Sequence, residues 1–229
     1  MDFDNTLMAT EQYAVPSLIA RFNALYAASA GKELTLSVFK QHFHGQARET
    51  LCQNLSDYFG ITVDYKMLYE SREARMMQYL QEIPEGIAMA PYLIETLTAL
   101  HSQGAIFSLV SNNPIQRALC AMRFANNRQG DALVALFGTR FFEAGSIQKP
   151  QPEVYLRAMQ QVDALPDNSI AVEDSMTGAK AALAAGLTTL AFTGFAENPP
   201  EQAEQLRALG CKAAFDDWRQ MPAILAKLS

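Results

Sequence analysis

Asp2 and Asp4 stand two residues apart in the run Asp2-Phe3-Asp4-Asn5-Thr6-Leu7. On an extended segment residues i and i+2 project to one side, so the two carboxylates converge. Such a pair suits one cation and one phosphoryl group, one carboxylate attacking and the other moving a proton. Asp and Asn are also ordinary turn formers, and an acidic turn is the other reading of the run. Three further polar clusters follow downstream. Ser111-Asn112-Asn113 offers a hydroxyl and amides to phosphate oxygens, although Ser and Asn equally cap helices. Lys149 precedes Pro150 in Lys149-Pro150-Gln151-Pro152, and proline keeps its predecessor extended, which can aim the ammonium inward. Most lysines are solvated, and that reading stands beside it. Glu173-Asp174-Ser175 places two carboxylates side by side, which repel unless a cation, donors or solvent compensate.

The elements that must position these groups fall into two stretches. From residue 10 to 84 apolar residues recur at helical spacing, as in Leu18, Ile19, Phe22, Leu25 and Tyr26, then Leu51, Leu55, Tyr58 and Phe59. With breaks at Gly31, Gly45 and Gly60, this predicts about four helices and no strand. From Gly86 onward strands and helices alternate. The pattern predicts a helix over 91–103, a strand Ala105–Val110, a helix over 115–125, and a polar loop over 126–131. A strand Phe141–Ala144 and a helix from Pro152 follow. Strand Ile170–Val172, a small-residue helix over 175–185 and strand Leu187–Phe192 complete it, with a further helix and strand before Asp216. Apolar strands alternating with helices predict a parallel sheet covered on both faces. Ligands in such sheets lie beyond the carboxyl ends of the strands, where Ser111, Glu173 and Asp174 are placed.

Composition narrows the function classes. The 229 residues are 49% hydrophobic and 18% charged, with a formal net charge of −6, which argues against nucleic acid as partner. Cys52, Cys120 and Cys211 are far apart with no CxxC pair, so neither a zinc site nor a disulfide framework is expected. With no signal-peptide pattern and no apolar run long enough to span a bilayer, the expectation is a cytoplasmic protein with no membrane partner.

Taken in order, Asp2-Phe3-Asp4-Asn5-Thr6-Leu7, Ser111, Lys149 and Glu173-Asp174 resemble the four motifs of the haloacid dehalogenase-like hydrolase superfamily. The likeness covers essentially the whole chain. It is nearest the helical-cap subgroup, with sugar-phosphate phosphatases such as 6-phosphogluconate phosphatase and β-phosphoglucomutases. This implies a Rossmann-like α/β core of residues 1–9 and 85–229 with an inserted all-α cap of residues 10–84. It also implies Mg²⁺-dependent hydrolysis of a small phosphorylated metabolite, sugar phosphates foremost. Asp2 is then the nucleophile that forms an aspartyl phosphate, and Asp4 the proton shuttle. Ser111 and Lys149 hold the transferring oxygens, with Thr6 and Asn112 as substrate contacts. Asp2, the backbone carbonyl of Asp4, Glu173 and Asp174 hold Mg²⁺, for which hard oxygen ligands are suited. His44-Gly45-Gln46-Ala47-Arg48-Glu49 resembles the family's cap loop, so His44 and Arg48 become substrate contacts. Arg48 then recognises a second phosphate or a carboxylate; a surface Arg–Glu pair is the competing reading. A monomer or weak homodimer is expected.

Four departures from the family pattern carry expectations of their own. Asn5 replaces a glycine, which Asn's tolerance of unusual backbone angles makes mild. Ala9 stands where many relatives have an aspartate. Ala14 replaces a cap histidine of the mutases, favouring hydrolysis over β-phosphoglucomutase-like transfer. Only Met1 precedes Asp2, where relatives carry about five apolar residues of a central strand. A truncated start, or a catalytically impaired phosphometabolite-binding protein with a poorly held nucleophile, is the alternative that follows.

Overall fold

The computed structural model describes residues 1–43 and 48–228, and of residues 48 and 49 the backbone only. The chain divides into two compact units, one of Met1–Thr10 with Ile83–Ser229 and one of Glu11–Glu82.

The Glu11–Glu82 unit is helical. Among the described residues it holds a 3₁₀ turn Glu11–Tyr13, then α1 (Ala14–Ala30), α2 (Leu36–His42), α3 (Arg48–Phe59), α4 (Tyr65–Tyr69) and α5 (Arg72–Gln81). The stretch after Gly60, expected to be one helix, is two. Ser71 adopts a positive φ of 52°, which a helix cannot contain, and Asp64 starts the first piece by accepting from the Met67 amide at 2.7 Å. Phe22, Tyr26, Phe39, Leu55, Phe59 and Leu68 form the unit's core, with the Phe22 and Phe59 rings 4.9 Å apart. Each such side chain contributes about 1.5–3 kcal/mol on burial, so the aromatic stripe is accounted for by packing.

The other unit is α/β. Its helices are α6 (Leu93–Ser102), α7 (Ile115–Arg123), α8 (Gly130–Phe137), α9 (Glu153–Gln161), α10 (Met176–Ala184), α11 (Pro199–Leu209) and α12 (Met221–Leu228). Its strands are β1 (Leu109–Ser111), β2 (Phe141–Glu143), β3 (Ile170–Glu173), β4 (Thr188–Phe192) and β5 (Ala213–Phe215). These strands pair in parallel, in a two-stranded sheet β1-β2 and a three-stranded sheet β3-β4-β5. Residues 1 and 2 join the two. The Val110 amide donates to the Met1 carbonyl at 2.8 Å, and the Asp2 amide donates to the Val172 carbonyl at 3.0 Å.

β1 is shorter than the apolar run Ala105–Val110 predicts, because a strand extends only as far as its partner, and β2 offers Phe141–Glu143 in register with Leu109–Ser111. A cavity of about 460 Å³ lies alongside, lined by Phe107, Ser108, Tyr155, Met159, Ile170 and Trp218 among others. Helix α8 takes the last two residues of the loop expected over 126–131 and a following stretch to which the sequence assigns no element. It packs on α7 so closely that a Cβ on Gly130 would lie 1.8 Å from the Met122 carbonyl oxygen. α10 is lined by buried Gly178, Ala179, Ala181 and Ala182, small enough to let it lie close on β3 and β4. The three cysteines form no disulfide, and no described helix is long and apolar enough to cross a membrane.

Candidate active site

The site is built at the carboxyl ends of β1 and β3 and on the turn after Phe3. Asn5 takes a left-handed φ of 56°, which Asn tolerates better than most residues, and the amides of Thr6, Leu7 and Met8 all turn back to the Phe3 carbonyl. That turn brings Thr6 back under Asp2. Asp2 is 8% exposed. Its Oδ1 accepts from Lys149 Nζ at 2.7 Å and its Oδ2 from Thr6 Oγ1 at 3.2 Å. With its backbone amide bonded to β3 and its neighbour's carbonyl bonded to β1, this aspartate is held on three sides.

Lys149 sits between carboxylates. Besides Asp2, its Nζ donates to Glu173 Oε1 at 2.7 Å and to the Val110 carbonyl at 3.0 Å. Burial works against its charge, but Asp2 and Glu173 outweigh it and hold the ammonium above the ordinary lysine value. Asp2 moves up as well, to about 8, through burial first and then the nearby charges of Glu173 and Asp4, with Lys149 opposing. Glu173 is fully buried, and Tyr155 donates its hydroxyl to the same Oε1 that Lys149 holds. Burial and the Glu173 charge push the Tyr155 phenol well up, so it remains a donor.

Asp4 is engaged at both oxygens. Oδ1 accepts from Arg117 Nη2 at 3.0 Å and from the Thr10 hydroxyl, and Oδ2 from Asn113 Nδ2 at 2.9 Å and Ser111 Oγ at 3.4 Å. Ser111 Oγ in turn accepts from the Asn113 amide at 2.9 Å.

Two of the expected substrate contacts have other occupations. Thr6 is fully buried and bridges Asp2 to Asp174, whose Oδ1 accepts from it at 3.4 Å. Asn112 is bonded to the Lys149 backbone, accepting its amide at 2.8 Å and donating to its carbonyl at 3.4 Å. Thr6 thus acts on two carboxylates of the site and Asn112 on the backbone that carries Lys149. His44 and the Arg48 side chain lie outside the described residues. Asn113, expected to offer amides to phosphate oxygens, donates instead to Asp4. Arg117, Thr10 and Tyr155 are site residues that the sequence does not single out. Arg117 carried a signal, since it lies on the stripe of α7 that buries Ala118, Ala121 and Met122.

Asp2, Glu173 and Asp174 each bring one oxygen within 4.8 Å of the others. Four carboxylates, counting Asp4, face the cations Lys149 and Arg117, an excess of two negative charges at full ionisation. An oxygen-only donor set with that excess fits a hard divalent cation.

Residues 1–192 match the family model described as haloacid dehalogenase-like hydrolase. The protein CbbY of Cereibacter sphaeroides is 27% identical over 125 residues, which is 53% of this chain and 53% of that protein, so the match spans about half the relative's length. A HAD family hydrolase from Deinococcus radiodurans, solved with bound phosphate and sodium, superposes with a TM-score of 0.73 at 26% identity, covering 99% of this chain and 93% of that one. A mutant of CbbY from Rhodobacter sphaeroides in complex with xylulose-(1,5)bisphosphate superposes with a TM-score of 0.65 at 17% identity, over 95% of this chain and 92% of that one, a likeness of fold.

Proposed function

Since the chain belongs to the haloacid dehalogenase-like hydrolase family, we propose that it hydrolyses small phosphomonoesters, foremost phosphorylated sugars or sugar acids, through a phosphoryl group carried on Asp2. The observation that supports this is the contrast between the two aspartates. Asp2 is bonded to Lys149 and Thr6 beside the other carboxylates, whereas Asp4 stands apart on neutral and cationic donors next to Ser111. Two carboxylates in different surroundings take different roles. The phosphate bound in the Deinococcus relative favours a phosphorylated ligand.

An Asp2 oxygen attacks phosphorus, the bond to the leaving oxygen breaks, and Asp4 gives that oxygen its proton. Water then attacks the phosphorus of the acyl phosphate. Asp4 takes the water's proton, and inorganic phosphate leaves with the Asp2 carboxylate restored. Ser111 donates to a transferring oxygen, and Lys149 keeps Asp2 oriented while offsetting the charge crowded on it. Asp2 and Asp174 would hold Mg²⁺, with the Asp4 carbonyl as the resemblance implies, and the bound ion would supply positive charge to the phosphoryl oxygens. Glu173 supports the set from behind, its Oε1 being held by Lys149 and Tyr155.

The test is a panel of phosphorylated sugars, sugar acids and glycerol phosphate, assayed with Mg²⁺ and with EDTA. Turnover of at least one in Mg²⁺, lost in EDTA and in Asp2→Asn, is expected. No turnover of any, or turnover undiminished in Asp2→Asn, contradicts the proposal.

A further inference from the structure

We propose that Arg117 is a positioning residue that anchors one oxygen of Asp4 so that the other works on the leaving group, an inference that rests on Asp4 being the proton shuttle. Arg117 is 2% exposed on the first turn of α7, and its guanidinium lies 3.0 Å from Asp4 Oδ1. The buried Thr10 hydroxyl donates to the same oxygen. The contacts of Oδ2 differ in kind: Asn113 and Ser111 are neutral donors, and Asn113 is half-buried. Both sides bond to a carboxylate, but only at Oδ1 is the donor charged as well, so a buried ion pair adds to the hydrogen bond there. When the carboxylate must release one oxygen to meet a leaving group, the neutral side therefore gives way. The charged side keeps the plane of the carboxylate fixed.

Ser111 adds a second reason to place the working oxygen at Oδ2. It contacts Oδ2 and is also the hydroxyl expected to reach a transferring oxygen, so Oδ2 faces the phosphoryl position and Oδ1 faces into the protein. Arg117 touches neither substrate nor reacting atoms in this scheme. Its effect is transmitted through Asp4.

Leaving-group dependence separates this role from a purely structural one. An aryl phosphate such as p-nitrophenyl phosphate departs without a proton, whereas glycerol phosphate needs one. kcat/KM reports the step in which the leaving group departs, which isolates the acid role from the later attack of water. In Arg117→Met the ratio of kcat/KM for the aryl over the alkyl ester is expected to rise about 100-fold, in line with the worth of a general acid. In Arg117→Lys, which keeps the charge without the planar fork, the rise is about tenfold. An unchanged ratio in either variant that folds, judged by its far-UV circular dichroism and melting curve, overturns the inference. Asp4→Asn distinguishes the two levels. If it shows the selective loss on glycerol phosphate and the Arg117 variants do not, the positioning role fails and the proton-shuttle reading stands. If Asp4→Asn lacks the selectivity too, that reading fails first.

Discussion

Substituting Gly178 by Ala should damage the site without replacing any charged residue. Gly178 is buried on α10, where a Cβ would lie 1.9 Å from Glu173 Oε2 and 2.1 Å from its carboxyl carbon. Reaching ordinary van der Waals contact at 3.4 Å needs a shift of about 1.5 Å. A carboxylate at the end of a free side chain would rotate away at little cost, but Glu173 is 0% exposed and its other oxygen is held by Lys149 and Tyr155. Moving it so far breaks a buried ion pair, an effect of about 3–5 kcal/mol when a partner is removed outright. Replacing glycine in a helix interior returns about 0.5–1 kcal/mol, leaving a net loss of about 2–4 kcal/mol. For a chain of this size that lowers Tm by about 5–15 °C. Thermal unfolding followed by circular dichroism measures the shift, and activity in Mg²⁺ should fall with it. A variant that melts at or above the wild-type temperature with full activity refutes the clamp on Glu173, since only the helix-propensity gain would remain.

The raised position of Asp2 gives a pH dependence. Its carboxyl moves from 3.8 to about 8 on folding, so between these values the folded state keeps a proton that the unfolded chain has released. Its contribution to stability is complete below pH 4 and falls as pH rises through about 8. A divalent cation needs the ionised form, so the Tm gained on adding Mg²⁺ over EDTA should be larger at pH 8.5 than at pH 5.5; the reverse order would sink the assignment of Asp2 as a ligand. Asn112→Ala should lower kcat more than it raises KM for a phosphomonoester, because Asn112 fixes the Lys149 backbone. A rise in KM with kcat unchanged would return Asn112 to the role of a substrate contact. Arg48→Ala should raise KM for substrates carrying a second anionic group and spare those without one, as a comparison of a sugar bisphosphate with glycerol phosphate would show.

The parts of the molecule legible in the sequence are those whose cause is local. The aspartates of the opening run, Lys149 before its proline and the paired carboxylates after Val172 declared themselves by residue type and placement, and the alternation of strand and helix followed from apolar runs and breaks. Helix α8 did not, because Gly-Asp-Ala-Leu-Val-Ala-Leu-Phe is apolar nearly all round and shows no stripe; its glycine start makes sense only against Met122 of α7. The split of α4 from α5 rests on an extended Glu70 followed by a left-handed Ser71, which no pattern of apolar residues reports. Thr10 and Tyr155 reach the site only through the fold, Tyr155 lying 18 residues from the glutamate it holds. Arg117 was closer to being readable, as a charged residue on the apolar stripe of an otherwise ordinary helix.

The most direct measurement of the central claim is to look for the phosphoryl group on Asp2. Asp4→Asn, turning over p-nitrophenyl phosphate in Mg²⁺, forms the acyl phosphate without needing an acid and loses the base that activates water, so the adduct should accumulate. Acid quenching, proteolysis and mass spectrometry should then find a phosphoryl adduct on the peptide bearing Asp2, with none in Asp2→Asn. Release of p-nitrophenol with no adduct on that peptide, or an adduct on a different residue, would contradict the account.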